Sequence, residues 1–89
     1  MKALDTIVTG IVWDESGLPL SGTTVYILAG TGSWLDIAAL TNARGEFQLS
    51  GMDSGRYVLS VCHENFVSEN LEIEIGEVPY KVNVTLKRQ

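Results

Sequence analysis

The sequence predicts an all-β domain, either a β-sandwich or a small barrel. Three observations carry this. About seven short runs alternate apolar and polar residues. Turn residues separate the runs at intervals of roughly 8–12 positions. No run combines helical period with helical length. The 89 residues suffice for one hydrophobic core and leave no room for a second. A chain of this size buries about 60–65% of its unfolded surface, which limits stability to roughly 4–13 kcal/mol.

The first run is Thr6 to Trp13. Val8, Gly10 and Val12 share one face, and Ile7, Thr9, Ile11 and Trp13 share the other. Both faces are apolar, so alternation alone does not say which points inward. A glycine in mid-strand, Gly10, marks a bulge or a close backbone approach. Asp14-Glu15-Ser16-Gly17 has turn chemistry, and Leu18-Pro19-Leu20 is a connection or an edge, because proline lacks the N–H that a central ladder needs. Thr23 to Leu28 is β-branched and aromatic, with Val25 and Ile27 as the inward pair. Ala29 to Ser33 reads as a flexible loop leading to Trp34, Leu35 and Asp36. Ile37 to Leu40 is too short for a stable helix and reads as a strand.

The stretch from Thr41 to Val61 is the centre of the pattern. Phe47 and Leu49 share one face of the run Glu46–Leu49, and Tyr57, Leu59 and Val61 share one face of Arg56–Cys62. With Asp53-Ser54-Gly55 between them, these runs read as a β-hairpin that the other strands cover. Phe66 folds back as a core plug. After Glu69, Leu71, Ile73 and Ile75 alternate with Glu72 and Glu74. In the last run Val82, Val84 and Leu86 alternate with Lys81, Asn83, Thr85 and Lys87. The Glu and Lys rows are expected to pair across neighbouring strands, at roughly 0.2–1 kcal/mol per pair.

Net charge is −5, and five of the eleven acids fall between Glu64 and Glu77. Phosphate backbones require clustered Lys and Arg, so the charge disfavours nucleic acid. No apolar run approaches the ~20 residues of a membrane helix. Met1 to Thr6 has no apolar signal core, so the chain either stays inside the cell or begins after a removed leader, and its compartment is unknown. The single Cys62 excludes an internal disulfide.

A family resemblance rests on three motifs. Gly10 to Val25 looks like a strand, an Asp-x-x-Gly turn, Pro-Leu and a small residue before a second strand. Thr41-Asn42-Ala43-Arg44-Gly45-Glu46-Phe47 is similar to a Thr-Asp-x-x-Gly-x-Phe turn, with Asn42 in place of the usual Asp. Gly55-Arg56-Tyr57-Val58-Leu59 is similar to a Gly-x-Tyr-x-Leu strand. Together, over residues 6 to 86, they resemble the carboxypeptidase regulatory-like domain. Asn65-Phe66 departs from the Gly-Tyr of many members. The resemblance implies a seven-stranded Greek-key β-sandwich of the transthyretin-like (prealbumin-like) type. It also implies a non-catalytic accessory or interaction module. A transthyretin-like hydrolase carries a C-terminal Tyr-Arg-Gly-Ser and histidines. This chain has neither that ending nor more than one histidine. Related pilin domains carry a Lys–Asn isopeptide bond, but here the first strand has no lysine.

The residues themselves point to contact, not chemistry. Cys62 and His63 are adjacent in a strand and so face opposite ways, which argues against a nucleophile–base pair. Asp14, Glu15, Asp36 and Asp53 sit at turns, where carboxylates cap the local backbone more often than they gather calcium. No catalytic, metal or cofactor residues are assigned. Trp34 and Leu35 lie in a Gly/Ser-rich loop, where an exposed indole would stack on a sugar or anchor a protein. If Val8 and Val12 face inward, Ile11 and Trp13 face outward and with Tyr26 form an apolar patch suited to a neighbouring domain or a homodimer. The expected partner is a protein or an adjacent domain, with carbohydrate binding through Trp34 as the alternative. No nucleic acid and no membrane insertion are expected. An inward Tyr57 also fixes an outcome: Tyr57→Ala costs about 3–5 kcal/mol in urea unfolding, and a loss below about 1 kcal/mol would place this face outward.

Overall fold

The computed structural model describes residues 6–34, 38–76 and 79–89. These form seven strands: β1 (Thr6–Asp14), β2 (Thr24–Gly30), β3 (Ala38–Leu40), β4 (Glu46–Met52), β5 (Gly55–Cys62), β6 (Glu69–Ile75) and β7 (Tyr80–Leu86). They build two sheets, ordered β4-β1-β7 and β3-β2-β5-β6. β1 is antiparallel to β4 and parallel to β7, while all pairs in the four-stranded sheet are antiparallel.

The inward faces follow the alternation. Val8 and Val12 of β1 have no exposed surface, so Ile11 and Trp13 do turn outward. Phe47 and Leu49 of β4 meet Tyr57, Leu59 and Val61 of β5 in one core with Val25, Ile27, Ile73, Ile75, Val84 and Leu86. Each fully buried aliphatic side chain contributes roughly 1.5–3 kcal/mol. Phe66 plugs this core as expected, 5% exposed.

Two expectations about pairing fail for the same reason. β4 and β5 are not a hairpin: they lie in opposite sheets, and the turn at Asp53–Gly55 carries the chain from one layer to the other. Likewise β6 and β7 lie in opposite sheets, so the Glu row does not face the Lys row. Glu74 stands beside Arg56 and Glu72 beside Val58, both of β5. One-sided alternation says that a strand has a core face. It does not say whether the next strand lies beside it or across the core.

Local chemistry holds the layer crossings. Asp14 Oδ1 accepts the N–H groups of Ser16 (2.8 Å) and Leu18 (3.0 Å). Asn42 Oδ1 accepts those of Arg44 and Glu46, both at 2.9 Å, so the amide caps this turn as an aspartate would. In the same turn Gly45 takes φ +73°, and its carbonyl accepts the Val12 N–H at 2.8 Å. Thr41 Oγ1 joins two connections. It accepts the buried Thr23 N–H (2.8 Å) and donates to the Leu20 carbonyl (2.6 Å). Pro19 lies opposite Trp13 in an isolated bridge, the edge position that its missing N–H permits. At the far end Asn65, with φ 69°, supplies the left-handed turn before Phe66. There Val67 N–H donates to the Lys87 carbonyl (2.8 Å) and Gln89 N–H to the Asn65 carbonyl (3.1 Å). The Arg88 guanidinium lies 5.2 Å from the Phe66 ring centre. This clamp joins the end of β7 to the approach to β6.

Gly10 is the close approach that its mid-strand position announced. It pairs with Phe47 on one side and Val82 on the other. A Cβ there would lie 2.5 Å from the Val82 carbonyl oxygen and 2.6 Å from the Phe47 ring. Gly10→Ala is therefore expected to destabilise the domain by about 1–3 kcal/mol, read from its urea midpoint. A neutral substitution would show that β1 can shift without cost.

Candidate functional site

Trp34 lies in the connection after β2, half-buried against the end of the core. Its ring meets the Tyr57 ring edge-on, with centres 5.8 Å apart and planes at 89°. It bridges to Met52 of β4 through the backbone. The open side of the indole lines a shallow hollow with Ile27, Leu28, Gly32 and Ser33. Leu28 is the extra residue of a bulge where β2 slips against β5, between Ile27 and Ala29, and it is 50% exposed. An apolar edge is thus presented at the loop where the sequence placed its candidate.

The loop under Trp34 is bonded into the fold. Ala29 and Gly30 belong to β2, contrary to the loop expected there. Thr31 N–H donates to the Arg56 carbonyl at 2.9 Å, and Arg56 N–H returns to Thr31 Oγ1 at 2.9 Å. Asp53 N–H donates to the Ser33 carbonyl at 2.7 Å. The Tyr57 hydroxyl lies 2.5 Å from the Asp53 carbonyl oxygen and 3.1 Å from that of Ser33. One hydroxyl proton serves one acceptor well, and Ser33 already has the Asp53 N–H. The Asp53 carbonyl therefore depends on Tyr57. Gly30 lies against the Tyr57 ring, where a Cβ would collide with it. Alternation identified Tyr57 as a core residue, but nothing local signalled that its hydroxyl fastens the Trp34 loop to the β4–β5 turn.

The other candidates are dispersed. Ile11 and Trp13 lie on the outer face of the three-stranded sheet, both half-buried. Trp13 Nε1 donates to Asn83 Oδ1 at 3.3 Å, and Ile11 sits between Glu46 and Asn83 in the sheet register. Tyr26 belongs to the other sheet, where it pairs with Ser60 and Ala38. Its outward side faces away from Ile11 and Trp13, so the three do not form one patch. Leu35 and Asp36 lie outside the described residues. His63 is engaged locally: Nδ1 lies 2.7 Å from the Glu64 carbonyl, Nε2 lies 3.1 Å from the Ser21 carbonyl, and the ring stands edge-on to Phe66. Cys62 Sγ lies 3.5 Å from both Ser60 Oγ and Ser68 Oγ. Asp53 Oδ1 caps Ser54 N–H at 3.0 Å. Among the described residues, no three His, Cys, Asp or Glu side chains gather into a group able to hold a metal ion.

Burial raises the Tyr57 hydroxyl above the ordinary tyrosine range, and the nearby Asp53 carboxylate adds to the rise. The folded state thus holds this proton more tightly than the unfolded chain. The stabilisation is fully present below the unfolded value of about 10 and is lost as pH rises through the raised value. Tyr57→Phe is expected to cost about 1–3 kcal/mol at neutral pH, through the unsatisfied Asp53 carbonyl. It should also flatten the loss of stability above about pH 10. Urea midpoints across that range check both, and parallel pH slopes for the two proteins would remove Tyr57 as the alkaline group.

The fold recurs in solved structures. The X-dockerin–cohesin complex of Acetivibrio cellulolyticus, type II and carrying an N-terminal interface mutation, contains a chain with TM-score 0.74 and 16% identity, covering 93% of this chain and 58% of that one. The group B streptococcus pilus 2b backbone protein also matches at TM-score 0.74, with 13% identity over 94% of this chain and 41% of that one. The 3-chlorocatechol 1,2-dioxygenase of Rhodococcus opacus 1CP matches at 0.70, with 10% identity over 99% of this chain and 61% of that one. This domain therefore spans about half the length of such chains, and at these identities the likeness is one of fold. Comparison with curated proteins gives no match. The family model of the carboxypeptidase regulatory-like domain matches residues 7–87, which take in all seven strands but for Thr6, and the chain belongs to that family.

Proposed function

We propose that this domain is a non-catalytic accessory module that makes protein–protein or interdomain contacts, with the Trp34 edge as its contact surface. The observation that carries the reading is the combination of exposure and restraint at that edge. Trp34 and Leu28 offer apolar surface to a partner, while the backbone bonds among Thr31, Ser33, Asp53 and Arg56 hold the loop in place. A surface ordered before binding loses little conformational entropy on contact. Family membership supports an accessory role, and the cohesin-complex and pilus-protein neighbours are themselves parts of protein assemblies by name. The dioxygenase neighbours share the sandwich at 10% identity, which carries no activity across.

Carbohydrate binding is the second reading, favoured by the same half-exposed indole beside Ser33 in a shallow hollow. Trp13 and Trp34 are the two tryptophans, so a Trp13→Phe background makes fluorescence report on Trp34 alone. Titration with a glycan panel should leave that signal unchanged. Titration with the domain that neighbours this one in its natural chain or gene cluster should shift it. Trp34→Ala should then weaken the protein contact about 30-fold or more. A saturable glycan response lost in Trp34→Ala would replace the first reading with the second.

A further inference from the structure

β6 and β7 are edge strands on the same side of the sandwich, one in each sheet. On the other side the backbones of β3 and β4 come close, whereas those of β6 and β7 stay farther apart, with Tyr80 of β7 lining one hollow with Ile73 and Glu74 of β6. The core is open there: Leu71, Tyr80 and Val82 pack against it and remain only partly covered. The two edges carry opposite charge on their wet faces. β6 exposes Glu72 and Glu74, and β7 exposes Lys81. Within the chain these rows never meet, since Glu74 stands beside Arg56 and Lys81 beside Thr9.

We propose that this open side is a self-association surface, on which β6 of each copy adds to β7 of a second copy. A two-fold axis parallel to the strands, running along the open side, forms both junctions at once. It brings the three-stranded sheet of one copy level with the four-stranded sheet of the other, outer face matching outer face. The antiparallel bridge between Phe66 and Arg88 sets the relative direction of the two strands, so each junction is an antiparallel ladder. The rotation keeps each residue at its own end of the open side, and Glu74 near the end of β6 and Lys81 near the start of β7 lie towards the end where the two strands are joined by the short connection 76–79. In the proposed arrangement Glu74 faces Lys81 of the second copy, and with Arg56 beside Glu74 the charges alternate in sign. The inner sides of the new ladders cover Tyr80 and Val82. The clamp between Asn65–Val67 and Lys87–Gln89 occupies the far end of this side and confines the ladders to the half nearer Ile75 and Tyr80.

Charged edge strands ordinarily block edge-to-edge pairing. Here β6 on β6 sets glutamates against each other, whereas β6 on β7 brings Glu74 towards Lys81. The charges favour pairing of unlike edges. The inference goes beyond the Trp34 contact and does not depend on it.

Light scattering and sedimentation from about 10 μM to about 1 mM should show a monomer–dimer equilibrium for the wild-type chain. Glu74→Lys and Lys81→Glu, both at exposed positions, should each weaken it roughly tenfold while leaving the thermal melt unchanged. An equimolar mixture of the two variants should restore it, because each altered edge then finds its complement. Trp34→Ala should leave it unchanged. A wild-type chain that stays monomeric throughout, variants that associate like wild type, or a mixture that fails to recover would each overturn the proposal. So would growth into open polymers, which a two-fold junction cannot produce, or loss of association in Trp34→Ala.

Discussion

Tyr57 joins the core of this domain to its candidate surface. Its ring is 1% exposed and fills the space between the sheets at one end. Its hydroxyl satisfies the Asp53 carbonyl, a backbone group that the β4–β5 crossing would otherwise leave without a partner. That crossing in turn holds Ser33 through the Asp53 amide, and so sets where Trp34 lies. The half-exposed aromatic edge is held in place because one buried side chain has a polar tip. An interior made only of aliphatic residues would fill the same volume without ordering the loop.

The other crossings solve the same problem with different groups. A chain passing between layers leaves the ladder and must find partners for the N–H and C=O groups it frees. Asp14 after β1, and Thr41 and Asn42 between β3 and β4, supply them with short polar side chains. Each bonds backbone within a few residues or on an adjoining connection. The turns that most resemble the family are therefore scaffold, and their carboxylates and amides are already occupied by the fold. Apolar or charged surface is exposed elsewhere, at the proposed Trp34 edge, on the β6–β7 side, and at Leu18, Leu40 and Val67.

Much of the architecture was legible from residues alone. Alternation placed Val25, Ile27, Phe47, Leu49, Tyr57, Leu59 and Val61 inside, and all are buried. Gly10 announced a close approach, and Phe47 and Val82 provide it. Phe66 was legible as a plug. The candidate site was legible in part. Trp34 stood out because an indole in a Gly/Ser loop has no alternating run to bury it. Leu28 did not, because a bulge is a misfit between two strands and leaves no mark on one of them. The order in the Trp34 loop was likewise hidden. Its partners Asp53 and Arg56 lie some twenty residues away in sequence, and composition alone suggests flexibility.

What the sequence by itself determined is the set of strands, their inward faces and the turns between them, because period and turn chemistry act over a few neighbouring residues. Only the tertiary structure decided which strands lie side by side. The hairpin expected at Asp53–Gly55 became a layer crossing, and the Glu and Lys rows came to rest on separate sheets. Tyr26 was turned away from Ile11 and Trp13 for the same reason. A strand with one apolar face is equally satisfied by a neighbour in its own sheet or by a sheet facing it. Choosing between them is a property of how the whole core closes.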